Sequence, residues 1–101
     1  MSTANRSRFL PDVPTIAEAG VKGYDADLWF GMWGPPGLST ERTNQLYTET
    51  ARLLQSADTA RRFADLGAEP VGSTPDAFRT FLRNEIVKWE KVVKASGARA
   101  D

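Results

Sequence analysis

The stretch Tyr24-Asp-Ala-Asp-Leu-Trp-Phe-Gly-Met-Trp33 decides between an α/β and an all-helical reading, because helical signals dominate the chain after it. Tyr24, Ala26, Leu28, Phe30 and Met32 alternate with Asp25, Asp27, Trp29, Gly31 and Trp33, the period-two pattern of a strand. One face is wholly apolar. The other runs from two carboxylates to two tryptophans. Gly34-Pro35-Pro36-Gly37 ends the strand, since proline has no N–H to give to a ladder.

Upstream, Thr15-Ile16-Ala17-Glu18 has capping-box spacing, with Pro14 before it and Gly20 just past Ala19, and predicts a helix of one or two turns. Downstream, Ser39 is a good N-cap, and Glu41 in the first turn suits the helix dipole. Thr43, Leu46, Tyr47, Thr50, Leu53 and Leu54 form one helical stripe. Ser56 or Asp58 caps a shorter helix that runs through Phe63 and Leu66 and stops at Gly67. Ala68–Val71 is a candidate edge strand. Thr74-Pro75 opens a long last helix, proline being suited to the first helical position, and Gly97 ends it. Its expected buried stripe is Phe78, Phe81, Leu82, Ile86, Trp89, Val92 and Val93. The fold class predicted is a helix-rich α/β unit with few strands and a long C-terminal helix.

The 101 residues carry 13 cationic and 13 anionic side chains, and 41% are hydrophobic, which fits one small globular unit and argues against disorder. Balanced charge removes the electrostatic reason to expect a nucleic-acid partner. The chain has neither cysteine nor histidine. Disulfides, thiolate chemistry and cysteine metal sites are therefore excluded, and the commonest general base is missing. A Ser-His-Asp triad cannot be built, and nothing places Lys22, Lys88, Lys91 or Lys94 beside a serine on a strained turn. An enzyme is not expected, nor is a cofactor. The polar, basic segment 1–8 is expected to be disordered, leaving 9–101 as the folded part. After it come only Phe9 and Leu10 before Pro11, too little apolar sequence for a signal peptide.

Gly31, Gly34 and Gly37 lie between a strand and a helix, but two prolines remove backbone donors and no Gly-Lys-Ser/Thr comes after them, so a redirecting turn is the better reading than a phosphate loop. Asp25 and Asp27 share a strand face and could bind a hard cation or a ligand amine; solvation is the plainer reading. Trp29, Phe30 and Trp33 must be covered by something, since each buries on the order of 150–250 Å². Core packing, a pocket wall and a surface awaiting a partner all remain open.

Leu10-Pro-Asp-Val-Pro-Thr-Ile-Ala-Glu-Ala-Gly20, Gly23-Tyr24, Trp29-Phe30-Gly31 and Pro35 to Gly37 resemble, in order and spacing, one bacterial family. So do Leu66-Gly-Ala-Glu-Pro-Val-Gly72, Thr74-Pro75 with Phe78, and Glu85 through Trp89 to Lys91-Val92-Val93. The family is that of the tripartite tricarboxylate transporter substrate-binding proteins, the TctC or Bug family, and the similarity is to its C-terminal third. The resemblance implies part of one lobe of a periplasmic-binding-protein-like (type II) fold. It further implies a periplasmic receptor that captures tricarboxylates, dicarboxylates or amino acids and delivers them to membrane permease subunits without catalysis. On the same analogy Asp27, Trp29 and Phe30 lie nearest the interlobe cleft and are the candidate ligand-binding residues.

The family's signal peptide, first ligand-pinching βα loop and second lobe have no counterpart in this sequence. Carboxylate capture at helix N-termini would draw mostly on those parts. The chain alone is therefore expected not to bind ligand, and, taken as a complete product without a leader, to stay in the cytoplasm. With segment 24–33 uncovered, it is expected to form a homo-oligomer through that strand. The alternative from another class is a free-standing, self-associating α/β interaction module without ligand.

Overall fold

The computed structural model describes residues 1–100, and among them the regular structure is three helices: α1 (Thr40–Leu54), α2 (Ala57–Asp65) and α3 (Pro75–Ser96). Each begins where a side chain can satisfy an orphan N–H. Ser39 Oγ accepts from the Arg42 amide, Ser56 Oγ from Thr59, and Thr74 Oγ1 from Ala77. Pro75 occupies the first turn of α3, and Gly97, in the left-handed region at φ 70°, closes it with its N–H on the Val93 carbonyl. The predicted capping box forms reciprocally: Thr15 N donates to Glu18 Oε2 at 2.8 Å, and Glu18 N to Thr15 Oγ1 at 3.1 Å. It encloses a single turn, closed by Ala19 N on Thr15 O at 3.0 Å. The Arg6 guanidinium, bonded to Glu18 at 2.8 Å, and the Thr15 amide hold the Glu18 carboxyl below its usual range.

The strand expected at 24–33 is not formed, and neither is the edge strand at 68–71. Among the described residues, 27–34 make no backbone–backbone hydrogen bond. The alternation in the sequence is real, but a ladder needs a neighbour, and none of the other described segments pairs with this one. The α/β expectation is thus corrected to a helical unit with an irregular, strand-patterned segment laid on α3. Residues 1–8, for which disorder was expected, are bonded to the loop at 14–26: Met1 N to Pro14 O at 2.8 Å, Ala26 N to Ser2 O at 2.8 Å and Ala4 N to Asp25 Oδ1 at 3.1 Å.

α1 touches both α2 and α3, yet no apolar side chain among the described residues is buried. Thr15 and Glu85 are the residues that are. The predicted α3 stripe is only partly covered: Phe78 and Leu82 are half-buried, while Ile86 and Val93 remain 59% and 46% exposed. The radius of gyration is 16.5 Å, against about 13 Å for a compact domain of this length. The accessible surface of 8444 Å² exceeds the roughly 5,650 Å² of a folded monomer of this mass by about 2,800 Å². Apolar surface that a self-sufficient domain would bury lies open.

Candidate functional site

Where segment 24–33 crosses α3, side chains do the holding. Trp29 stands edge-on to Phe78 and Phe81, with ring centroids 5.8 and 5.1 Å away, and Trp33 packs on Phe78 at 5.4 Å. These are the separations and tilts that aromatic quadrupoles favour. Gly31 lets the backbone come this close: a Cβ there would sit 2.5 Å from Phe78 Cζ and 2.9 Å from Trp33 Cη2.

Glu85 lies at the centre. Its Oε2 accepts from the indole Nε1 of Trp29 at 3.1 Å and of Trp89 at 3.0 Å, and its Oε1 pairs with Lys88 Nζ at 2.5 Å. Lys88 also donates to the Asp25 carbonyl at 3.3 Å, so cation and carboxylate together tie the segment to α3. The hydrogen bond from Lys88 is the main cause that holds the Glu85 carboxyl below its ordinary value; burial opposes it, and the Trp89 and Trp29 donors reinforce it. A buried carboxylate with this many donors is satisfied, so its cost of desolvation is offset locally.

The three candidate ligand residues do not converge. Trp29 is half-buried and turned onto α3, Phe30 is 87% exposed on the alternate side, and Asp27 is exposed. Asp25 is engaged with the Ala4 amide. Among the described residues, no group of three acidic, histidine or cysteine side chains is placed to hold a metal ion, and no helix is long and apolar enough to cross a membrane. Two of the clefts on the surface of the described residues are well enough formed to compare with these positions. The larger, about 490 Å³, lies between the N-terminal ends of α1 and α3, lined by Thr43, Tyr47, Thr74 and Arg79 among others, with Arg79 already paired to Asp76 at 2.6 Å. The smaller, about 270 Å³, lies beside Tyr24, Lys88 and Trp89. Neither is lined by Asp27, Trp29 or Phe30.

Sequence reasoning misses the joint role of Glu85 and Lys88. A signal for it exists: Glu85 is the acidic member of an otherwise apolar stripe running Phe78, Phe81, Leu82, Glu85, Trp89, Val92, which calls for a partner across the packing face.

Among the described residues the helices are capped, the polar knot around Glu85 is satisfied and no apolar side chain is buried. The sequence model described as tripartite tricarboxylate transporter family receptor, TctC, matches residues 1–98, and the chain belongs to that family, one of transport receptors rather than enzymes. It is 37% identical over 97 residues to protein BugT of Bordetella pertussis, covering 96% of this chain and 30% of that protein. It is 30% identical over 100 residues to a UPF0065 protein from the TAR-I ttuE-ttuC' intergenic region of Agrobacterium vitis, covering 96% of this chain and 29% of the other. Among solved structures, R. palustris Rpa4515 with adipate superimposes with a TM-score of 0.80 at 41% identity, over 95% of this chain and 32% of that one. The chain thus spans about three-tenths of the length of the relatives it matches.

Proposed function

We propose that this chain is the C-terminal third of an extracytoplasmic receptor that captures small carboxylates for a tripartite tricarboxylate transporter and hands them to its membrane permease. The observation that carries this reading is the family match over residues 1–98 together with the likeness to a relative solved with adipate. Such a receptor works in the periplasm, which is the proposed location. Asp27 and Phe30, both exposed, are proposed to meet a ligand held against the rest of the receptor. Trp29, committed to Glu85 and the phenylalanines, is proposed to contribute by fixing the segment that presents them.

The 101 residues alone are proposed to be incompetent for ligand, because the candidate residues do not converge: Trp29 is turned onto α3 while Phe30 faces solvent on the alternate side. Isothermal titration of adipate and a panel of di- and tricarboxylates tests this. The isolated chain is expected to give no heat of binding at micromolar ligand, and a full-length receptor containing this sequence is expected to bind. Micromolar affinity in the isolated chain contradicts it. A second reading, a self-associating module, is favoured by the exposure of Leu28, Phe30, Met32 and Trp33. On either reading the isolated chain is expected to associate through its apolar faces; light scattering that finds a monomer at tens of micromolar contradicts that expectation.

A further inference from the structure

Asp27 stands between two tethers. Two residues before it, the Asp25 carbonyl accepts from Lys88 Nζ at 3.3 Å; two residues after it, the Trp29 indole donates to Glu85 Oε2 at 3.1 Å. Glu85 and Lys88 lie one turn apart on α3 and pair with each other at 2.5 Å, so both tethers end on one ion pair. The neighbouring acids are already engaged: Asp25 Oδ1 accepts from the Ala4 amide, and Glu85 accepts from two indoles and Lys88. Asp27 differs. Its side chain is exposed, and among the described residues no amide, hydroxyl, lysine or arginine is bonded to its carboxylate. A carboxylate held in place without a cation attracts an ammonium group and repels a second carboxylate brought up to it.

We infer that Asp27 is a specificity-determining residue of the receptor, favouring carboxylate ligands that also carry an ammonium group over plain di- and tricarboxylates, with Glu85 and Lys88 as the positioning residues that hold it. This rests on the receptor reading proposed for the chain, in which Asp27 meets the ligand. An attraction between unit charges about 4 Å apart at a wet surface changes an affinity by roughly tenfold. It falls with distance and with screening by salt, so it discriminates only if the carboxylate stays where the ligand's ammonium arrives. Backbone bonds do not keep it there, since residues 27–34 make none among the described residues. The holding falls to the side chains of the ion pair, one on each side of Asp27. Lys88 does not neutralise Asp27, because its charge is spent on Glu85 and its remaining bond goes to a carbonyl.

The test is isothermal titration of a full-length receptor containing this sequence with adipate and with 2-aminoadipate, two diacids of one carbon skeleton that differ by an ammonium group. 2-Aminoadipate is expected to bind about tenfold more tightly, and Asp27→Asn, at an exposed position, to bring the two within about twofold of each other. Glu85→Gln and Lys88→Met are each expected to cut the preference to about threefold, and Lys88→Arg, which keeps the cation, to retain most of it. A ratio of affinities is not moved by a role in stability alone, since a smaller competent fraction weakens both ligands alike. Equal affinities, a preference for adipate, or a preference that survives Asp27→Asn overturns the inference and leaves the receptor reading standing. A preference that is lost with Asp27 but unchanged in both Glu85→Gln and Lys88→Met overturns the positioning roles. Binding of neither diacid also overturns the inference; the receptor reading falls with it only if the panel of di- and tricarboxylates gives no heat either.

Discussion

Replacing Glu85 by alanine removes the acceptor shared by Trp29 and Trp89 and the partner of Lys88. The Trp29 bond bridges 56 residues of sequence and ends on a carboxylate that is only 8% exposed, so water replaces it poorly. A hydrogen bond to a charged group contributes about 1.5–3 kcal/mol net; taking about 2 for Trp29, the opening equilibrium of the segment rises about 30-fold. Trp89 sits on the same helix and is 40% exposed. Its share is nearer 1 kcal/mol, or about fivefold. Solvent exchange of the indole Nε1 protons, resolved by NMR, reads these values separately. Trp33, the remaining tryptophan, is not a donor to Glu85 and serves as internal reference. Glu85→Gln, which keeps one acceptor oxygen but loses the ion pair, is expected to fall between wild type and Glu85→Ala. If the Trp29 indole exchanges at the same rate in wild type and in Glu85→Ala, the carboxylate does not hold the segment and the reasoning fails.

Because the Glu85 carboxyl is held below its ordinary value of 4.5, the open state takes up its proton first as acid is added. The clamp should be at full strength above about pH 4.5 and weaken as the pH falls through the lower, clamped value; tryptophan emission is expected to shift red over that range in wild type and not in Glu85→Gln. An identical shift in both proteins would assign it to another group. Gly31→Ala drives a methyl into Phe78 and Trp33 and should cost about 1–3 kcal/mol of clamp stability. Near-ultraviolet circular dichroism is expected to lose aromatic signal, and an unchanged spectrum contradicts the close approach. Thr15→Ala removes one half of the capping box and should destabilise the turn at 15–19 by about 1 kcal/mol, seen as faster exchange of the Glu18 amide.

The helices are legible in the sequence because their signals are local. Ser39, Ser56 and Thr74 each sit three residues before the amide they cap, Pro75 and Gly97 punctuate α3, and the capping box at Thr15 is complete within four residues. Segment 24–33 reads as a formed strand and is not one, because its alternation records which side faces which layer, while a strand exists only with a partner that the pattern cannot supply. The same gap blurs the candidate site. Adjacency groups Trp29 with Phe30, yet adjacent residues in an alternating segment face opposite ways: Trp29 is bonded to Glu85, and Phe30 is among the most exposed side chains of the chain. The stripe on α3 predicts burial correctly in kind but not in extent, since nothing among the described residues covers Ile86 and Val93.

Scanning calorimetry of the isolated chain bears most directly on whether this unit was shaped to be completed by the rest of a receptor. A self-sufficient domain of this length absorbs about 70 kcal/mol in one sharp transition near 60 °C. Here the account predicts a broad, weak transition with less than half that enthalpy. A sharp two-state peak of full size from a monomer would contradict it.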